Sequence, residues 1–185
     1  NRYGRWHALR NEYIRAMMFY ERIGNRRAWL GVVAEDAGVM LAGLNPSEVI
    51  ETLQSCTADE LKENPYAILV LMRRLFSWGN IPKMLELKEL LTEAVKTDAG
   101  LIQEQRENLL GECDLIMSFL CYNDIEGMSR LHRSACSKMT HTAQSIKTYG
   151  SFTFGSPSVL MMFHRTVGNM KQEVAVMENA IPFYY

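Results

Sequence analysis

Four histidines (His7, His132, His141, His164) and four cysteines (Cys56, Cys113, Cys121, Cys136) are the side chains in this sequence best suited to hold a metal or attack a substrate. A tetrahedral zinc site draws its ligands from adjacent helical turns, as in His-Glu-x-x-His, or from tight corners carrying Cys-x-x-Cys. Neither spacing occurs. Each cysteine sits inside an apolar helical pattern, so the four read as buried thiols of a reducing cytosol. No Gly-x-Ser-x-Gly elbow is present, and no dinucleotide-binding glycine fingerprint follows a strand. Gly150-x-x-x-x-Gly155-Ser156 has the glycine frame of a phosphate-binding loop, but Pro157 stands where that loop needs its lysine and hydroxyl. A helix start capped by Ser156 accounts for the same residues. Carboxylates are plentiful, yet most fall on solvent faces at spacings that favour i,i+4 pairing with lysine. These patterns point to no enzyme, no metal site and no resident cofactor.

The cations are more suggestive. Arg73-Arg74 interrupt an otherwise apolar helix, and His164-Arg165 occupy a similar place near the end of another. Such pairs either line a groove that holds an anionic effector or a partner's acidic segment, or lie at helix ends where they complement the dipole. Tyr122 and Phe154 complete the set of candidate effector contacts. Phe154 belongs to the one convincing irregular segment, Thr140 to Gly155, where Phe152 and Phe154 either fold back onto the helices or await a ligand.

Helices must position these groups. The chain has 185 residues, 48% of them hydrophobic, enough for a real core. Apolar residues recur at helical spacing over windows far longer than a strand. Trp6, Leu9, Tyr13, Ala16, Met17 and Tyr20 make one stripe, predicting a helix from about Arg5 to Ile23, followed by another from Asn25 to Asp36. Asn45-Pro46-Ser47-Glu48 supplies a cap, a first-turn proline and an acid at the positive end of a dipole. Thr57-Ala58-Asp59-Glu60 is a capping box. The segment from Tyr66 through Ile68, Leu69, Leu71, Met72, Leu75 and Phe76 is so apolar that it must be nearly surrounded. Met84, Leu87, Leu91 and Ala94 mark the buried side of the next helix, and Leu109, Cys113, Ile116 and Leu120 that of a helix from about Leu101 to Tyr122. A helix from Asp124 to about Thr140 follows, then a last pair opening at Ser156-Pro157 whose second member contains Val174, Met177 and Ile181. Twelve methionines at core spacing read as an adaptable core rather than a promiscuous groove.

The corners repeat: Gly24-Asn25, Gly79-Asn80, Asn123-Asp124 and Gly168-Asn169. Each pairs a residue tolerant of positive φ with a side-chain oxygen able to cap the following helix. Their roughly 45- to 55-residue spacing fits an array of helix pairs. The expected fold is therefore all-α, stacked antiparallel helix pairs in a tetratricopeptide-like α-α superhelix, with residues 1–185 as a single helical-repeat domain and a concave face left for partners.

Charge is uneven along the chain. Seven arginines (Arg2, Arg5, Arg10, Arg15, Arg22, Arg26, Arg27) face two acids (Glu12, Glu21) in the opening stretch, although the whole chain has a formal charge of −1. That stretch is either a solvated helix face or a contact with a partner or neighbouring domain. The overall balance gives no reason to expect direct nucleic-acid binding. No apolar run approaches the roughly 20 residues that cross a bilayer, and a cytoplasmic protein is expected. The start at Asn1 and the aromatic run Pro182-Phe183-Tyr184-Tyr185 suggest a piece of a larger protein.

Three stretches carry a family resemblance. The run Trp6-x-x-x-x-x-Glu12-Tyr13-x-x-Ala16-x-x-x-Tyr20-x-x-x-Gly24, the segment Asn64-Pro65-Tyr66 through Arg73-Arg74-Leu75-Phe76-x-x-Gly79, and the phrase Phe152-Thr153-Phe154-Gly155-Ser156-Pro157-Ser158-Val159-Leu160, continuing to Met162-Phe163-His164-Arg165, together resemble the helical effector-sensing region of large bacterial LuxR-type, MalT-like transcriptional regulators. The first two are generic helix-pair patterns; the third is more specific. The resemblance implies a parent with an upstream ATP-hydrolysing switch module and a downstream helix-turn-helix module that binds DNA, neither of which is in this chain. This piece would sense a small-molecule effector or a protein partner and relay its binding to neighbouring domains, with self-association also open. A helical protein–protein adaptor unrelated to transcription is the alternative.

Overall fold

The structure, a computed structural model, describes residues 2–121, 124–146, 167–180 and 182. Among them there is no strand. The elements are α1 (Arg2–Leu9), α2 (Tyr13–Arg22), α3 (Arg26–Glu35), a 3-10 turn (Met40–Gly43), α4 (Pro46–Gln54), α5 (Ala58–Lys62), α6 (Pro65–Ser77), α7 (Ile81–Thr97), α8 (Gln103–Ser118), α9 (Ile125–Lys138) and α10 (Met170–Ala180). The chain is all-helical, and its helices pack as sequential pairs. It divides into two compact units, one containing α1–α7 with Gln144–Ile146, the other containing α8–α10.

In the first unit the helix pairs are made by two corners built alike. Gly24 takes φ +67° and Gly79 takes φ +73°, a left-handed backbone that a side chain would strain. The Gly24 N–H donates to Glu21 O and the Asn25 N–H to Tyr20 O; the Gly79 N–H donates to Phe76 O and the Asn80 N–H to Leu75 O. These bonds satisfy carbonyls that a helix end would otherwise leave open. Each asparagine then turns its side chain to the next helix, Asn25 Oδ1 accepting from Ala28 N at 3.1 Å and Asn80 Oδ1 from Lys83 N at 3.3 Å. One residue closes a helix with its backbone and opens another with its amide.

The apolar run of α6 is surrounded as its composition requires. Every residue from Ala67 to Met72, and Leu75, has no exposed surface, because α3, α5 and α7 all pack against it. Full burial of each large aliphatic side chain contributes about 1.5–3 kcal/mol. Met84, Leu87, Leu91 and Ala94 of α7 are buried as read from the pattern. The Thr57–Glu60 capping box forms at the start of α5, and Asn45 caps α4.

The opening stripe behaves differently. The helix expected from Arg5 to Ile23 breaks into α1 and α2 because Asn11 adopts φ +59°, which asparagine tolerates better than most side chains. Ala16, Met17 and Tyr20 are buried as expected, but Trp6 and Leu9 are exposed by 49% and 76%. After the break α1 points other positions inward, and His7 is buried instead, its Nδ1 2.6 Å from Glu12 Oε2. Part of the basic stretch pairs internally: Arg27 grips Glu63, the residue that caps the end of α5, through Nε at 2.6 Å and Nη2 at 2.9 Å.

In the second unit α8 and α9 form a close pair. Asp124 opens α9 by accepting from Gly127 N at 2.8 Å, and Leu109, Cys113 and Ile116 are buried. Helix α8 stops at Ser118, four residues before the expected end, so Leu120 lies beyond it and is exposed. All four cysteines are free thiols, but Cys136 is exposed and Cys56 and Cys121 only half-buried, which corrects the reading of all four as buried. Helix α10 rests on α9 through Val176 and Met177, which pack against Ile125 and Met128. None of its described side chains is buried. Gly168 precedes it at φ +93°, at the expected corner.

Candidate functional site

Arg73 and Arg74 are turned toward the chain's own backbone. Helix α3 ends in two left-handed residues, Ala37 at φ +46° and Gly38 at φ +68°. Their carbonyls are held by α6: Arg73 Nη2 donates to Ala37 O at 2.5 Å, and Arg74 Nε and Nη2 donate to Gly38 O at 2.9 and 2.6 Å. Asp36 Oδ2 accepts from Met40 N at 3.0 Å to start the 3-10 turn. Gly38 must also lack a side chain for reasons of space, since a Cβ there would lie 2.4 Å from Val70 Cγ1. Arg73 is 6% exposed, and burial, then the neighbouring Arg74 charge, pushes its guanidinium down to about 10. Burial also lowers Arg74, with Asp36 working against it. The pair is a clamp on a corner. Tyr122, Phe154, His164 and Arg165, the other candidate contacts, lie outside the described residues.

Two clusters combine groups familiar from hydrolases, and geometry gives both a structural reading. Ser118 Oγ lies 2.9 Å from His132 Nε2 and 2.6 Å from Leu115 O. A hydroxyl has one proton. With that proton on the Leu115 carbonyl, His132 donates to Ser118 and cannot act as its base. Both side chains are buried. Nearby, Ser134 Oγ donates to Asp114 Oδ2 at 2.7 Å, while Lys138 Nζ contacts that same oxygen at 2.5 Å and Ser134 Oγ at 2.8 Å. The lysine is an ion-paired donor here, tying α9 to α8. No group of histidine, cysteine and carboxylate side chains able to hold a metal occurs among the described residues.

Among the described residues a cleft of about 270 Å³ lies open to a ligand between α9 and α10, lined by Glu126, Ser129, Arg130, Arg133, Val176 and Asn179. Glu126, Arg130 and Arg133 stand at i, i+4 and i+7 and so share one helix face. The second helix is fastened at the cleft by Arg133, whose Nη2 donates to Asn179 O at 3.1 Å. Glu126 and Arg130 are exposed, and neither forms an ion pair with a described residue. A guanidinium of this kind can offer a carboxylate two parallel hydrogen bonds. The i, i+4, i+7 spacing was legible in the sequence; that α10 would form the facing wall was not.

Comparison of the chain with protein families, with curated proteins and with solved structures finds no match. No described helix is long and apolar enough to cross a membrane.

Proposed function

We propose that this chain is a helical binding scaffold whose α9–α10 cleft receives a small effector, and that it serves as the sensing region of a LuxR-type regulator. The observation that carries the binding reading is the cleft itself: Arg130 and Glu126, neither with an ion-pair partner among the described residues, face a helix none of whose described side chains is buried. A ligand that bridges α9 and α10 holds α10 in one position, and its differential affinity for that position is what a relay requires. The regulator reading, with its tetratricopeptide-like plan, is supported by the resemblance of the three stretches quoted above. On that reading ATP hydrolysis and DNA binding belong to other modules of a parent protein, and this chain contributes recognition rather than catalysis. The test is a backbone NMR titration of the chain with small carboxylates. Saturable shifts confined to α9 and α10 and lost in Arg130→Gln are expected; a spectrum unmoved by every carboxylate removes the cleft as a binding site.

A second reading, a protein–protein adaptor, is favoured by the exposed face of α1. Tyr3, Trp6 and Leu9 are all exposed there, and the Arg10 guanidinium stacks 4.6 Å from the Trp6 ring centre. Tryptophan, tyrosine and arginine are the residues most enriched in interface hot spots.

A further inference from the structure

We infer, resting on the reading of the α9–α10 cleft as the ligand site, that its ligand is a small zwitterion, an α-amino acid with an aliphatic side chain. Three features of the lining lead there. The cleft presents both signs of charge: Arg130, with no ion-pair partner among the described residues, can take a carboxylate, and Glu126, one helical turn away and equally unpaired, can take an ammonium. A dianion such as phosphate would gain from Arg130, while Arg133 is already engaged with the Asn179 carbonyl and Glu126 meets the dianion as a like charge. A neutral molecule would leave both charges unanswered.

Second, the polar groups that remain, the Ser129 hydroxyl and the Asn179 amide, can each donate and accept. They suit a ligand carrying donors and acceptors at one end. The single aliphatic group in the lining, Val176 on α10, offers a surface for a short apolar side chain at the other. Third, the roughly 270 Å³ of the cleft lies just below the roughly 300–1,000 Å³ of pockets that take drug-sized ligands, which suits a small ligand better than a nucleotide.

The experiment uses the full chain, isotopically labelled, and three probes: L-leucine, 4-methylpentanoate, which lacks the ammonium, and leucinamide, which lacks the carboxylate. L-Leucine should give saturable shifts in α9 and α10, with each of the other two binding at least about tenfold more weakly, the scale of one lost charge-assisted hydrogen bond. Glu126→Gln should weaken L-leucine to the level of 4-methylpentanoate while leaving 4-methylpentanoate as tight or tighter. Arg130→Gln should weaken both carboxylates. If 4-methylpentanoate matches L-leucine and only Arg130→Gln matters, the cleft stands as a carboxylate site and the zwitterion is wrong. If leucinamide matches L-leucine, the carboxylate plays no part and the inference falls. Silence from both carboxylates overturns the cleft and the inference together.

Discussion

A guanidinium withdrawn from water beside a second guanidinium is costly, so Arg73 and Arg74 persist because the carbonyls they satisfy are themselves withdrawn. Arg73→Ala strands the Ala37 carbonyl, and an orphaned buried acceptor costs about 1–3 kcal/mol. The urea midpoint should fall accordingly, with the slope unchanged. If Arg73 were an effector contact, the same substitution would lower affinity and leave the midpoint alone. Glu12 gives a pH-dependent case. Its hydrogen bond with His7, opposed by some burial and aided by Arg15, lowers its carboxyl below the ordinary 4.5. A carboxyl depressed in the folded state contributes stability above its unfolded value and loses it as pH falls through the folded one. The stability difference between the natural chain and Glu12→Gln should therefore be full at neutral pH and shrink below about pH 4.5, as followed by urea unfolding at stepped pH. Thiol chemistry offers a third check. Burial, followed by the Glu60 charge, pushes the Cys56 thiol up to about 11, whereas Cys136 is exposed. An aromatic disulfide reagent at neutral pH should label Cys136 well before Cys56.

At the scale of elements, what could be read from sequence was whatever depended on local chemistry. Glycine followed by asparagine has few uses besides ending one helix and capping the next, and Gly24-Asn25 and Gly79-Asn80 do both. The interior of α6 was legible for a similar reason, since an apolar run with no polar face must be covered. Asn11 was not. Nothing beside it announces a left-handed residue, and the apolar stripe runs on past the break. Once α1 turned, Trp6 and Leu9 faced outward although their spacing placed them inside. The corners give a graded prediction. Gly79→Ala places a methyl in open space, so only the left-handed backbone opposes it, about 1–2 kcal/mol. Gly38→Ala meets the same backbone penalty and also drives a methyl against Val70, so its denaturation midpoint should fall further than that of Gly79→Ala. Equal shifts would mean that α6 does not press on the corner.

For the molecule as a whole, the candidate site was the least legible part, and the reason lies in two pairs of cations. Arg73-Arg74 and the Arg130/Arg133 pair are both basic interruptions of helices, and no local pattern tells that Arg73, Arg74 and Arg133 turn to carbonyls while Arg130 is left facing a cleft. Only the long-range placement of the Ala37–Gly38 corner and of α10 decides it. The exposed α1 face makes its prediction at this scale too. Trp6→Ala should cost the exposed cation–π contact, about 0.5–1 kcal/mol, together with the packing of the covered half of its ring against His7, and sedimentation velocity should report reduced self-association if a second copy uses that face. Helix α10 has a different consequence. It supplies Asn179 to the cleft wall from an exposed position, whereas Val176, half-buried against Ile125 and Met128, serves both the wall and the packing of the helix. Replacements at 179 can therefore accumulate without unsettling the protein, and a small library at that position should yield altered chemical preferences on a scaffold that melts where the parent does.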